Sequence, residues 1–253
     1  MASTTEGTEE HTAAPASRRP PARRRGMGRI AMAVSVFGEL LITAGLVLGL
    51  FVVYSLWWTN VVADRAADKQ ADKVRDIWAQ QDEDSGRPAE YDAKNGIGFL
   101  HVPAMTKGEI LVEKGTTSKI LNDGVAGYYT DPVKAALPTS GKKGNFSLAA
   151  HRDGHGAKFH NIHKLEKGDP IVFETKDKWY VYKVYAVLPE TSKYNVKVLS
   201  AVPKESGKTK AGRYITLTTC TPVYTSRYRY VVWGELERVE KVDEERTLPE
   251  ELR

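Results

Sequence analysis

Residues 30–58, IAMAVSVFGELLITAGLVLGLFVVYSLWW, form an unbroken apolar run in which Glu39 is the single charge. About twenty such residues cross a bilayer as a helix, so the run reads as a transmembrane segment. A cleaved signal peptide has a shorter apolar core and a small-residue cleavage site, whereas this run ends in bulky Tyr54, Trp57 and Trp58. These aromatics suit a membrane interface, and six arginines against three glutamates within residues 1–29 predict a cytoplasmic amino terminus by the positive-inside rule. Everything beyond residue 59 is then expected outside the cell. Glu39, costly at membrane depth, marks either a helix partner or a span that begins nearer Leu40.

The rest of the 253 residues leaves room for one folded domain. Residues 1–29, rich in Ala, Pro, Thr, Glu and Arg, read as a disordered basic tail. The charged, helix-favouring stretch 60–82, with Val62, Ala66, Ala67, Val74 and Trp78 loosely periodic, reads as a helical stalk. The polar segment DSGRPAEYDAKNG completes a stalk and linker over 59–95. From Ile97 the pattern changes to short β-branched and aromatic runs: IGFLHV, EILVEKG, FSLAA, PIVFET, KWYVYKVYAVL, RYITLTTC and YRYVVWGEL. Seven strand candidates punctuated by Gly, Pro, Asn and Asp argue an all-β barrel or sandwich. In the fifth run, Tyr180, Tyr182, Val184 and Ala186 alternate against Trp179, Val181, Lys183, Tyr185 and Val187, so one face is expected to be wetter. Residues 239–253 read as a charged tail, frayed or helical.

Basic residues concentrate in the amino-terminal tail and nearly balance acidic ones elsewhere, which disfavours nucleic acid as a partner. Cys220 is the one cysteine, so an intrachain disulfide and a thiolate-built zinc site are both excluded. A lone thiol is bland or reactive, and its surroundings decide. Cys220 closes the alternating run RYITLTTC and is followed by Thr221 and Pro222, where a strand must stop, so it is expected at a rim. SLAAHRDGHG likewise delivers His151 to a strand end, and its imidazole suits proton transfer near neutral pH. In YTSRYRYVVWGEL, Arg227 and Arg229 share one strand face, and a guanidinium there could stabilise an oxyanion.

The strings TLTTC, LAAHR and Arg229-Tyr-Val-Val-Trp-Gly, in this order, resemble the three catalytic strands of the sortases over about residues 95–237. TLTTCTP and the single amino-terminal anchor are most similar to class E, the housekeeping type of high-GC Gram-positive bacteria. The resemblance implies a closed eight-stranded barrel over 96–238 and a cysteine transpeptidase at the plasma membrane. Such an enzyme cuts a sorting signal of LAxTG or LPxTG type between Thr and Gly. It passes the surface protein to an amine of a peptidoglycan precursor, with no cofactor. Carried over, Cys220 is the nucleophile, His151 the acid and base, and Arg229 the transition-state clamp, with Arg227 the lesser candidate. Thr219, Tyr128, Tyr129 and Arg227 are the expected substrate contacts.

Three alternatives stay open on sequence. His151, His155, His160 and His163 could hold a metal, but HRDGHG reads as a loop and not as the helix that brings an i, i+4 pair together, so no metal is expected. A peptidase would use the same thiol with water as acceptor. A wall-associated binding protein would use Cys220 only for packing. His101, in FLHVP, reads as structural.

Overall fold

A computed structural model describes residues 28–83 and 97–253. The amino-terminal tail up to residue 27 and the linker 84–96 lie outside the described residues. Two units separate, residues 1–49 and 50–253.

In the first unit the described chain is helical. It belongs to α1 (Arg29–Val53), whose 25 residues carry no buried side chain and extend about 37 Å at 1.5 Å per residue. By length and composition α1 can cross a membrane. Thr43 returns its hydroxyl to the Glu39 carbonyl, 2.8 Å away, so the polar side chain is satisfied within the helix.

In the second unit a π-helical turn (Tyr54–Trp58) leads into α2 (Thr59–Glu83). The strands β1 (Gly98–His101), β2 (Ile110–Lys114), β3 (Ala126–Tyr128), β4 (Gly144–Ala149), β5 (Pro170–Glu174), β6 (Lys178–Ser192), β7 (Arg213–Thr221) and β8 (Tyr228–Lys241) close a barrel in the order β1-β2-β3-β4-β7-β8-β6-β5. Eight strands replace the seven runs counted in the sequence. The extra one, β3, is only Ala-Gly-Tyr, too short and glycine-rich to stand out by composition. Gly127 is required there because a Cβ would lie 1.9 Å from the Gly115 carbonyl oxygen.

Period-two alternation fills the barrel. Leu100, Val112, Phe146, Leu148, Phe173, Tyr180, Tyr182, Ile215, Leu217 and Val232 form its interior. The first half of β6 is buried on both faces. Trp179 and Val181 are buried with Val172 beneath Val242 and Leu252. The cover comes from the carboxyl-terminal segment, which reads in the sequence as a tail, frayed or helical. β8 continues to Lys241, a short 3-10 turn (Glu250–Leu252) follows, and Arg238 holds Glu251 through two hydrogen bonds of 2.6 Å.

α2 is likewise no free stalk. Ala63, Ala67, Val74 and Trp78 are its buried face, and the last three pack with Phe99, Leu111 and Val125 on the outside of β1 and β2. Ala67, Val74 and Trp78 keep the places that the sequence period gives them, whereas Val62 is 48% exposed and Ala63 is buried in its stead. The Trp78 ring meets Phe99 edge-on at 5.4 Å, and the Arg75 guanidinium lies 4.0 Å over Phe99. Truncating a buried Trp in such a site costs about 3–5 kcal/mol.

One carboxylate joins these pieces. Glu174, at the end of β5 and 2% exposed in its side chain, accepts from Arg75 of α2 at 2.5 Å, His101 of β1 at 2.9 Å and Arg246 of the tail at 2.5 Å. Burial works to raise its pKa, but these three donors outweigh it and hold the carboxyl at about 2.

Candidate active site

β7 and β8 run antiparallel, with Cys220 directly opposite Arg229 and Thr218 opposite Val231. Directly opposed residues share a sheet face, so the thiol and the guanidinium emerge on the same side. That side is the outer one, because Ile215 and Leu217 belong to the interior and Thr218 and Cys220 alternate with them. Arg227 lies two residues earlier, before β8 begins. It is exposed, with its guanidinium 5.8 Å over the Tyr228 ring.

β4 runs parallel to β7, and their paired register ends at Ala149 with Thr218. The Ala150 N–H still reaches the Thr218 carbonyl at 3.4 Å, and the Thr219 hydroxyl donates to the Ala150 carbonyl at 2.7 Å. His151, two residues past Ala149, therefore follows β4 at the level that Cys220, two past Thr218, holds near the end of β7. His151, Cys220 and Arg229 are brought to one end of the barrel from three neighbouring strands.

The loop after His151 is tied back at several points. Phe159 N–H donates to the His151 carbonyl at 3.0 Å, and His160 Nδ1 lies 2.8 Å from the Arg152 carbonyl. Arg152 is buried, donates to the Thr221 hydroxyl at 2.6 Å and lies 5.4 Å over the Tyr230 ring. It thus fastens the histidine loop to the end of the cysteine strand. Nε2 of His151 lies 2.9 Å from Oδ1 of Asn122, in the connection between α3 (Ser118–Leu121) and β3. Burial, then repulsion from His155, lowers the His151 pKa, with Asp153 opposing.

A groove of about 90 Å³ lies on the outer face that carries Thr218 and Arg229, lined by these two and by Tyr129, Lys193, Val196 and Leu199 among others. The Tyr129 hydroxyl is 3.0 Å from Oγ1 of Thr218, which itself donates to the Leu148 carbonyl at 3.0 Å, so the tyrosine is the donor. Burial raises the Tyr129 pKa, Thr218 and Arg229 oppose the rise, and Cys220 adds to it. The phenol thus shares the groove wall with Thr218 and Arg229.

Two expected substrate contacts fall elsewhere. Tyr128 is buried in the barrel interior, 6.5 Å from Phe146, because β3 alternates and only Tyr129 can face outward. Thr219 is 3% exposed and spends its hydroxyl on Ala150. Its neighbour Thr218 is the one that lines the groove. Sequence reading missed Asn122, Thr218 and the structural use of Arg152. Strand alternation could have found Thr218, but nothing local in LNDG points to a histidine 29 residues away.

The four loop histidines do not gather. His151 and His155 have ring centroids 5.3 Å apart, while His160 is exposed and used by Arg152. The metal-type group among the described residues is His101, Glu109 and Glu174, and two guanidiniums already occupy Glu174.

A thiol at the rim of a closed barrel, with a guanidinium opposite it in register and an imidazole following the neighbouring strand, fits cysteine enzymes that pass acyl groups through a thioester. The chain belongs to the sortase family, whose domain matches residues 100–237. It is 76% identical to sortase SrtE2 of Streptomyces coelicolor over the full length of both chains. It is 45% identical to SrtE1 of the same organism over 90% of this chain and 65% of that one. A crystal structure of S. coelicolor sortase E1 with a tripeptide in its active site superposes with a TM-score of 0.58, at 47% identity over 62% of this chain and 96% of that one. Sortase E from Streptomyces avermitilis gives 0.54, at 34% identity over 62% and 97%. Sortases are cysteine transpeptidases, and this chain is a class E-like member.

Proposed function

We propose that this sortase cleaves a carboxyl-terminal sorting signal of LAxTG or LPxTG type between Thr and Gly and joins the threonyl carbonyl to an amine of a peptidoglycan precursor. The observation that carries the reading is the cross-strand pair of Cys220 and Arg229, with His151 leaving the adjacent parallel strand at the same level.

The Cys220 thiolate attacks the threonyl carbonyl, and the Arg229 guanidinium stabilises the resulting oxyanion. Collapse breaks the C–N bond as His151 gives its proton to the departing glycyl amine, which leaves a thioester. The acceptor amine then attacks the thioester, His151 takes its proton, and the thiolate departs. Tyr129 and Thr218 shape the groove wall that receives the signal. The Asn122 carboxamide holds the His151 ring in one orientation, with Nε2 protonated.

Helix α1 serves in this reading as a single-pass plasma membrane anchor, with the arginine-rich amino terminus in the cytoplasm and the barrel outside. The interfacial aromatics Tyr54, Trp57 and Trp58 support it, since all three are exposed. The partners are surface proteins bearing the signal and the lipid-linked wall precursor.

The test uses the full chain in detergent micelles with LAxTG and LPxTG peptides, with and without a glycine or diaminopimelate-type amine, read by mass spectrometry. A peptide–amine ligation product that vanishes in Cys220→Ala is expected. Hydrolysis alone in the presence of amine, or turnover surviving Cys220→Ala, removes the reading.

A further inference from the structure

We propose that the first turns of α2 are a positioning element of the active site, in which Asn60, Ala63 and Asp64 clamp both loops flanking His151 and so fix the orientation of its ring. The proposal rests on the reading of His151 as acid and base.

Three contacts from one helical face carry it. The Gly156 N–H donates to Oδ1 of Asn60 at 2.9 Å, and Lys158 Nζ pairs with Oδ1 of Asp64 at 2.8 Å. Both hold the loop that begins at His151. Ala63 presses on the other flank, where a Cβ added to Gly124 would stand 2.8 Å from the Ala63 carbonyl oxygen. Gly124 is two residues from Asn122, whose carboxamide bonds His151. The two loops also meet each other beneath the helix: a Cβ on Gly156 would lie 3.0 Å from Oδ1 of Asp64 and 3.3 Å from the Gly124 Cα. With φ of +77° and +76°, Gly156 and Gly124 hold conformations that favour glycine.

Positions 60, 63 and 64 fall on one side of a helix, and that side continues into Ala67, Val74 and Trp78, seated on the barrel. The clamp is therefore mounted on a fixed support. Its ion pair is worth little as stability, because Asp64 is 49% exposed in its side chain and exposed pairs contribute about 0–1 kcal/mol. Conserving the fold does not require the pair, while catalysis is sensitive to displacements of about 1 Å. Asn60 lies two residues beyond Trp58, about 3 Å further along the helix axis, so the clamp joins the end of the proposed anchor to the proposed general base.

Of the charged and titratable groups, His155 and Asp153 on its own loop act on the His151 ring; Arg152 adjoins it in the chain, Asp123 follows Asn122, and register sets Cys220 and Arg229 on the neighbouring strands β7 and β8. Asp64 and Lys158 add one charge of each sign. If they acted only through space, neutralising Asp64 would lower the His151 pKa and neutralising Lys158 would raise it. If they act by position, both loosen the loop and hydrate the ring. Burial then holds the pKa down less, and both variants shift it upward.

The experiment compares Asp64→Asn, Lys158→Met and the uncharged Asn60→Ala in the full-length protein in micelles. The His151 imidazole is titrated by NMR, its signal assigned with His151→Gln, and thioester formation is followed with a sorting peptide. All three variants are expected to raise the His151 pKa and lower kcat about tenfold. KM should stay within about twofold and melting within about 2 °C, with Asp64→Glu restoring both readouts. Opposite pKa shifts for Asp64→Asn and Lys158→Met, or unshifted titrations in all three, overturn the proposal. Upward shifts in a protein whose wild type forms no thioester would sustain the clamp and remove the catalytic reading instead.

Discussion

Nε2 of His151 and Oδ1 of Asn122 stand 2.9 Å apart, so the ring at the end of β4 takes its orientation from a carboxamide carried by a different loop. A histidine held this way keeps Nε2 protonated and leaves Nδ1 for proton exchange. Asn122→Ala frees the ring to rotate. A fall of about tenfold in kcat/KM, carried mostly by kcat, is expected in steady-state peptide ligation, with little change in melting temperature.

The register of β7 with β8 separates the two arginines. Arg229 opposes Cys220, whereas Arg227 precedes β8 and lies over Tyr228. Removal of an oxyanion donor typically costs about 10²–10³ in kcat, and Arg229→Ala is expected in that range. Arg227→Ala should stay within about threefold. Parallel kcat measurements check this, and equal losses would show that register does not choose the clamp.

Tyr129→Phe removes one hydrogen bond in the groove wall and leaves the ring in place. The Thr218 hydroxyl keeps its own acceptor, Leu148, so stability should fall by about 1 kcal/mol at most. Peptide selectivity should change instead, measured as the ratio of kcat/KM for LAxTG against LPxTG peptides. An unaltered ratio would exclude this phenol from signal recognition.

Glu174 gives a pH prediction. Its folded pKa, about 2, lies below the ordinary 4.5, so its stabilisation is complete above pH 4.5 and is lost as pH falls towards 2. A shift of this size is worth about 3 kcal/mol. Glu174→Gln should lower the melting temperature strongly at pH 7, and the gap from wild type should close between pH 4.5 and 2. A gap that stays constant with pH would show that the carboxylate charge is not what joins these segments.

Glu113 has the opposite sign. Burial, with Asp123 adding, raises its pKa to about 7, and Oε1 has no partner among the described residues. The unfolded chain ionises near 4.5, so this group costs stability as pH rises from 4.5 to 7. Glu113→Gln is therefore expected to be neutral at pH 4 and to stabilise by about 3 kcal/mol at pH 8, read from denaturant melts at the two pH values.

The parts of this architecture that local pattern specifies were readable in advance. RYITLTTC and YRYVVWGEL alternate cleanly, Pro222 stops β7, and Cys220 lands at the rim for that reason. The same alternation, followed one residue further, would have exchanged Thr219 for Thr218 and dropped Tyr128. What stayed hidden depends on pairs distant in the chain. Asn122 reaches His151 across 29 residues and Arg75 reaches Glu174 across 99, with no local signature at either end. α2 concealed its seat because half of its buried face is alanine, which packs closely but barely registers as an apolar stripe. The tail hid its docking because its charged residues read as solvated until Glu251 is seen on Arg238 and Arg246 on Glu174.

Since Arg75 and Arg246 close on the same carboxylate, pulling on the carboxyl-terminal segment loads the seat of α2 as well. Immobilising this enzyme on a bead by that end would strain the attachment that supports the histidine loop. Lys142 and Lys143 are exposed just ahead of β4, at the mouth of the barrel away from the thiol, and make the gentler handle for surface coupling.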